Sequence, residues 1–221
     1  MRVYKFLPAK WAKEAILHQR LKISLLTTLN DPWDGNALCF ESVGQRYAWE
    51  KTINQVSQTR GIICFSSDWC DPVLWSHYAD QHHGIALGFD VQDSFAMDVN
   101  YSERLVDFSD FYLQETDTLK SAFIQKVISS KYTNWKYEKE VRLFVGLDEP
   151  DTKIGHFFKN FDPNLSLRSV VFGSRYHNHE EMAVILSHIR KDANVDCWKA
   201  ALGEKTFEMR KDPNWTYQTV L

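Results

Sequence analysis

"NWKYEKEVRLFVG", Asn134 to Gly146, sets the question for the whole chain. From Glu138 onward the residues alternate as in a strand. Val141, Leu143 and Val145 fall on one face, and Glu138, Glu140, Arg142 and Phe144 on the other. Strands favour β-branched and aromatic residues over Glu. Two acids and an arginine on one side therefore need a reason. Either that face is wet, with Arg142 screening both acids in an ion-pair row of about 0–1 kcal/mol per pair, or it lines a cleft. In a cleft, a carboxylate held by Arg142 accepts a hydrogen bond from a substrate hydroxyl or stabilises developing positive charge.

The surrounding chain has the composition of a folded protein. Its 221 residues suit one sizeable domain, read here as residues 1–221, and 44% are hydrophobic with eight tryptophans. The formal net charge of −3 gives no global field that draws in nucleic acid, although a local basic groove needs no such field. No apolar run reaches the roughly 18–20 residues that span a bilayer. The N-terminus, "MRVYKFLPAKWAKEAIL", lacks a secretory h-region, so the expectation is a cytoplasmic protein without membrane contact.

Working outward, alternation predicts strands over 2–6, 21–26, 61–67 and 84–90, the last with 96–102 as its hairpin neighbour. Helical spacing predicts helices over 9–20, 44–58, 117–132 and 178–192. Asp71 as N-cap and Pro72 at the first helical position predict a short helix over 71–80. Strands follow at 167–173, 195–202 and 205–212, the last two joined around Gly203-Glu204. Strands and helices mix without strict βαβ alternation. The expected fold class is α+β, a single domain of mixed, mostly antiparallel sheets with flanking helices.

Other segments carry weaker chemistry. The four cysteines show no C-x-x-C pair, and Cys64 reads as a buried free thiol. His77, His82 and His83 in "WSHYADQHHG" are not spaced as a zinc helix, so no metal is expected, and a helix end before Gly84 accounts for them. A hydrolytic, nuclease-like use of His77, His83 and the acids stays open. "LNDPWD" (29–34) is turn chemistry in which Trp33 packs down or stacks on a ring. The turn at Gly173 before the last helix offers a phosphate a helix start, with Arg175 beside it.

The blocks "YKF" (4–6), "LNDPWD", "CFS" (64–66), "LWSHYADQHHGIALGFD" (74–90), "NWKYEKEVRLF" (134–144) and "VVFG" (170–173) occur in an order that resembles the bacterial family called domain of unknown function 2971. Val73-Leu74 stands where many members have Met before the tryptophan, and Trp33 where phenylalanine is usual. The layout is also similar to that of ADP-ribosyltransferases, in which a first strand contacts NAD and a later strand carries a catalytic glutamate, often as E-x-E. That resemblance implies an ADP-ribosyltransferase-like fold with Glu140 as catalytic acid and Glu138 beside it. It implies NAD, as substrate, contacting Tyr4, Lys5, Asn30, Asp31 and Ser66, with Trp75, His77, Tyr78, His83 and Arg142 completing the site. Lys5 stands where transferases commonly carry arginine or histidine. The implied function is an NAD-consuming toxin or phage-defence effector that modifies nucleic acid or protein. The alternative is a non-catalytic module that binds a nucleotide or a partner protein of a defence system.

Overall fold

A computed structural model describes residues 1–112, 116–189 and 194–216. The strands are β1 (Arg2–Leu7), β2 (Arg20–Lys22), β3 (Ser24–Leu25), β4 (Leu38–Cys39), β5 (Arg60–Ser66), β6 (Ile85–Val91), β7 (Ala96–Asp98) and β8 (Asn100–Ser102). They continue as β9 (Val106–Asp107), β10 (Ser130–Tyr132), β11 (Glu140–Gly146), β12 (Phe158–Asn160), β13 (Leu165–Phe172), β14 (Asp196–Leu202) and β15 (Met209–Lys211). The α-helices are α1 (Ala9–His18), α2 (Val43–Ser57), α3 (Pro72–Tyr78), α4 (Ser109–Tyr112), α5 (Asp117–Ile128) and α6 (His179–Ile189).

A mostly antiparallel sheet runs β15-β14-β13-β6-β1-β5-β11-β7, with β3 also on β5. The fold is α+β. Alternation decides what each face carries. Val3, Ile63, Phe65, Leu87, Val141 and Leu143 point to one side, into a core shared with Ala12 and Ile16 of α1 and Ile185 and Leu186 of α6. The other side holds two separate apolar clusters. Phe6, Ala86 and Val171 pack with Leu74 and Trp75 of α3. Ile62 packs with Trp49 of α2 and Phe123 and Val127 of α5, joined by Cys64 and Phe144. The boundary between these clusters lies where β1 meets β5.

That junction is unusual. β1 pairs with β6 over its whole length, but its register with β5 consists of Tyr4 opposite Ser66 alone. Beyond that pair the strands part. A strand carbonyl left unpaired in an interior costs free energy, and here the Lys5 ammonium donates to the Cys64 carbonyl at 2.9 Å across the gap.

Several boundaries differ from expectation. The 96–102 segment does not form a hairpin with β6, whose two edges are taken by β1 and β13. Instead β7 pairs with β11, and β8 pairs with β10. The 117–132 helix ends at Ile128, after which Ser130–Tyr132 is β10. The 21–26 strand divides at Ile23, its halves pairing with β12 and β5. The last helix is seen to Ile189, and residues 190–192 of its expected span lie outside the described residues. Glu138 is not on the strand: Thr133–Glu138 is a 3₁₀ turn, and Lys139, at φ 44°, separates it from β11.

Gly84 joins α3 to β6 at a point of close backbone approach. A Cβ there would lie 2.3 Å from the Leu7 carbonyl oxygen and 2.8 Å from that of Ala79. Neither is the end of a flexible side chain, so both elements must shift. Gly84→Ala is expected to destabilise the fold by about 1–3 kcal/mol, read as a lower urea midpoint; an unchanged midpoint would show that α3 is not held to β1 there.

Candidate functional site

The gap between β1 and β5 opens into a cavity of about 350 Å³, within the size range of small-molecule sites. Tyr4, Ser66 and Glu140 are consecutive register partners across three strands, and all three line it. Lys5, Asn30, Tyr78 and Glu138 line it as well. One wall is apolar, with Phe6, Leu29 and Leu74; another is charged, with Asp34, Lys131, Glu138 and Glu140.

The charged wall is a buried network. Lys131 Nζ donates to Glu138 Oε2 at 2.6 Å and to Glu140 Oε2 at 3.0 Å, and sits 4.0 Å from Asp34 Oδ2. Arg142 Nε donates to Glu140 Oε1 at 2.8 Å, and its second terminal nitrogen donates to Glu140 Oε2 at 2.9 Å and Asp34 Oδ1 at 2.6 Å. Its first terminal nitrogen donates to the Ile128 carbonyl. No side chain of the five is more than 6% exposed. The polar face of β11 is therefore dry, and the surface ion-pair reading does not describe it.

Local sequence explains how these groups arrive. The 30–35 turn is closed by Asp31 Oδ1, which accepts from the Trp33 amide at 2.9 Å. Gly35 takes φ +74°, a conformation that side chains disfavour. The buried Trp49 indole donates to the Gly35 carbonyl at 2.9 Å and ties the turn, with Asp34, to α2. Asp71 caps α3 by accepting from the Val73 amide at 2.8 Å. That helix delivers Tyr78, whose hydroxyl donates to Glu138 Oε1.

Burial pushes the Glu140 carboxyl up, but Arg142 and Lys131 outweigh it and hold it at about 2. Burial wins at Asp34, whose carboxyl lies above the ordinary carboxylate range despite Arg142 and Lys131. Burial, with Glu140 adding to it, pushes the Cys64 thiol up to about 12, which removes it as a nucleophile at neutral pH. Burial and its bond to Glu138 likewise raise the Tyr78 phenol.

A lowered carboxyl contributes stability that is complete above its unfolded value and lost as pH falls through its folded one. For Glu140 that window runs from 4.5 down to about 2, and the loss is on the order of 3 kcal/mol. Asp34, raised, acts with the opposite sign and offsets part of it. Thermal melts between pH 5 and 2 should fall steeply for the native chain and less steeply for Glu140→Gln. Parallel curves would mean that Glu140 carries no such linkage.

Other residues expected at the site lie elsewhere. Trp75 is fully buried behind the wall, edge-on to Phe6, with its indole donating to the Trp69 carbonyl at 2.7 Å. Arg142 is likewise behind the wall, so it orients Glu140 and has no face open to a ligand. Asp31 lines a smaller hollow of about 210 Å³ on the far side of the 30–35 turn. His77 is exposed, with Nδ1 3.0 Å from the Tyr137 hydroxyl. His83 stands edge-on to His177 and does not line the cavity. Trp33 is 52% exposed instead of packed down. The turn at Gly173 packs against the His82 and Gly84 carbonyls and does not line the cavity.

Asp34 and Lys131 are the members of the charged wall that pattern reading missed. "LNDPWD" contains Asp34, but nothing local marks it over Asp31. Lys131 falls inside the 117–132 span that reads as helix, where nothing marks it.

A family model described as "Protein of unknown function (DUF2971)" matches residues 74–143, which supports the family resemblance over that stretch. The matched segment carries Tyr78, Lys131, Glu138, Glu140 and Arg142. No curated protein and no solved structure matches the chain. No helix among the described residues is long and apolar enough to cross a membrane.

Proposed function

We propose that the chain is an NAD-consuming, ADP-ribosyltransferase-like enzyme, a bacterial toxin or phage-defence effector whose acceptor is a nucleic acid or a protein. The single observation that supports it most is the register row Tyr4–Ser66–Glu140 along one wall of a cavity, with Glu138 alongside. In the reaction the nicotinamide–ribose bond breaks, its electron pair leaves with nicotinamide, and positive charge builds on the ribose. An acceptor nucleophile then bonds to the same carbon and gives up its proton. Glu140, ionised throughout the neutral range, accepts from the ribose 2′-hydroxyl and stabilises that charge in a site screened from water. Tyr4 and Tyr78 offer aromatic faces to the nicotinamide, and Lys5 offers its remaining donors to a phosphate.

The second reading is a module that binds a nucleotide or a partner without chemistry. It is favoured by one feature: both oxygens of Glu140 already accept from Arg142, and one also from Lys131. The two part in one experiment. NAD labelled in its adenine half is incubated with the protein and with DNA, RNA or protein acceptors, while binding is followed by calorimetry and nicotinamide release by chromatography. Release with label transfer, or release to water, supports the enzyme. Binding without release supports the module, and no binding of NAD discards the enzyme.

A further inference from the structure

Glu140 is gripped from a part of the chain that lies outside the main sheet. β8 and β10 form a separate two-stranded parallel sheet in which Lys131 is the register partner of Tyr101. Both members of that pair reach Glu140. Lys131 takes its carboxylate, and the Tyr101 hydroxyl accepts from its backbone amide at 2.8 Å. The same ammonium holds Glu138 at 2.6 Å and lies 4.9 Å from the centre of the Trp135 ring, which covers it from outside. We infer that Lys131 is a positioning residue: the β8–β10 pair exists at this place to hold Glu138 and Glu140 side by side as carboxylates facing the cavity.

Charge balance gives the reason. Asp34, Glu138 and Glu140 face Lys131 and Arg142, three carboxylates against two cations. The remaining titratable groups against Glu138 and Glu140 are Cys64 and the phenols of Tyr78, Tyr101 and Tyr137, none of which adds a positive charge. The Lys5 ammonium lines the same cavity but donates to the Cys64 carbonyl, and neither glutamate is paired with it. Without Lys131, Arg142 alone would face three carboxylates. Two acids sharing a dry site do not both ionise easily, so one would take a proton and lose its capacity to stabilise positive charge. An arrangement whose purpose was packing alone would use apolar side chains here at lower desolvation cost.

The inference deepens the enzyme reading and rests on it for the word positioning, but its test needs no nucleotide. The full chain, labelled with carbon-13 at the glutamate δ position, is titrated by NMR, with the Glu140 signal assigned through Glu140→Gln. In Lys131→Met the Glu140 carboxyl is expected to titrate at least about one pH unit higher than in the native chain, and Lys131→Arg should return it. An unmoved Glu140 in folded Lys131→Met overturns the inference. Should that variant not fold, the native chain decides through the nitrogen-15 signal of the Lys131 ammonium. A slowly exchanging signal supports the inference, and one that exchanges like surface lysines overturns it. Where Glu140 moves as expected but native protein releases no nicotinamide from NAD, the enzyme reading alone fails.

Discussion

Arg142→Met should cost the protein about 3–5 kcal/mol, the largest loss expected of any single polar change. Arg142 is wholly buried and serves four acceptor oxygens on Glu140, Asp34 and Ile128. The substitution fills much of the same volume but leaves three buried carboxylates facing one ammonium. A chain of this size has about 5–15 kcal/mol in total, so its melting temperature should drop on the order of 10 °C, and expression should suffer. Arg142→Lys is expected to recover little, because a point charge cannot reproduce the two-pronged contact to Glu140 or reach Asp34 and Ile128 together. A loss below about 1 kcal/mol would be the behaviour of a solvated surface row.

Glu140→Gln should cost stability on the order of the 3 kcal/mol that its carboxylate contributes at neutral pH, but its larger effect should fall on turnover. Removing that charge leaves Asp34 and Glu138 against Lys131 and Arg142, two against two, and the amide oxygen still accepts from Arg142. Nicotinamide release should fall by about 10²–10³-fold, the size of one preorganised electrostatic contact to a charged transition state. Affinity for NAD should change far less than kcat, since the charge develops only as the bond breaks. Retained turnover in a folded Glu140→Gln sample removes the carboxylate from the mechanism. A melting loss as large as that of Arg142→Met, with kcat intact, would make the wall a structural ion cluster and no more.

Much of this wall was written in the β11 pattern. Alternation put Glu140 and Arg142 on one face and the apolar residues on the other, and the structure keeps that division. What alternation does not carry is whether a polar face is wet. The answer depends on Asp34, which is 108 positions from Arg142, and on Lys131, which reaches back from a strand that follows a helix end. Such long-range pairs leave no local periodicity. Glu138 shows a different gap. A lysine at φ 44° carries none of the glycine or asparagine signal that marks such turns, so the 3₁₀ turn before β11 reads as strand. The misplaced hairpin of 96–102 has a tertiary cause, because β6 is central and its edges were claimed by β1 and β13. The α3 start, by contrast, was fully local: Asp71 and Pro72 specify it and the cap bond forms.

The most direct measurement is a crystal structure of the native chain soaked with NAD or a non-cleavable analogue. The account predicts the nicotinamide-bearing ribose between Tyr4 and Tyr78, its 2′-hydroxyl within hydrogen-bond distance of Glu140, and Ser66 against the same ligand. Density for the nucleotide elsewhere, or an empty cavity at saturating ligand, would contradict it.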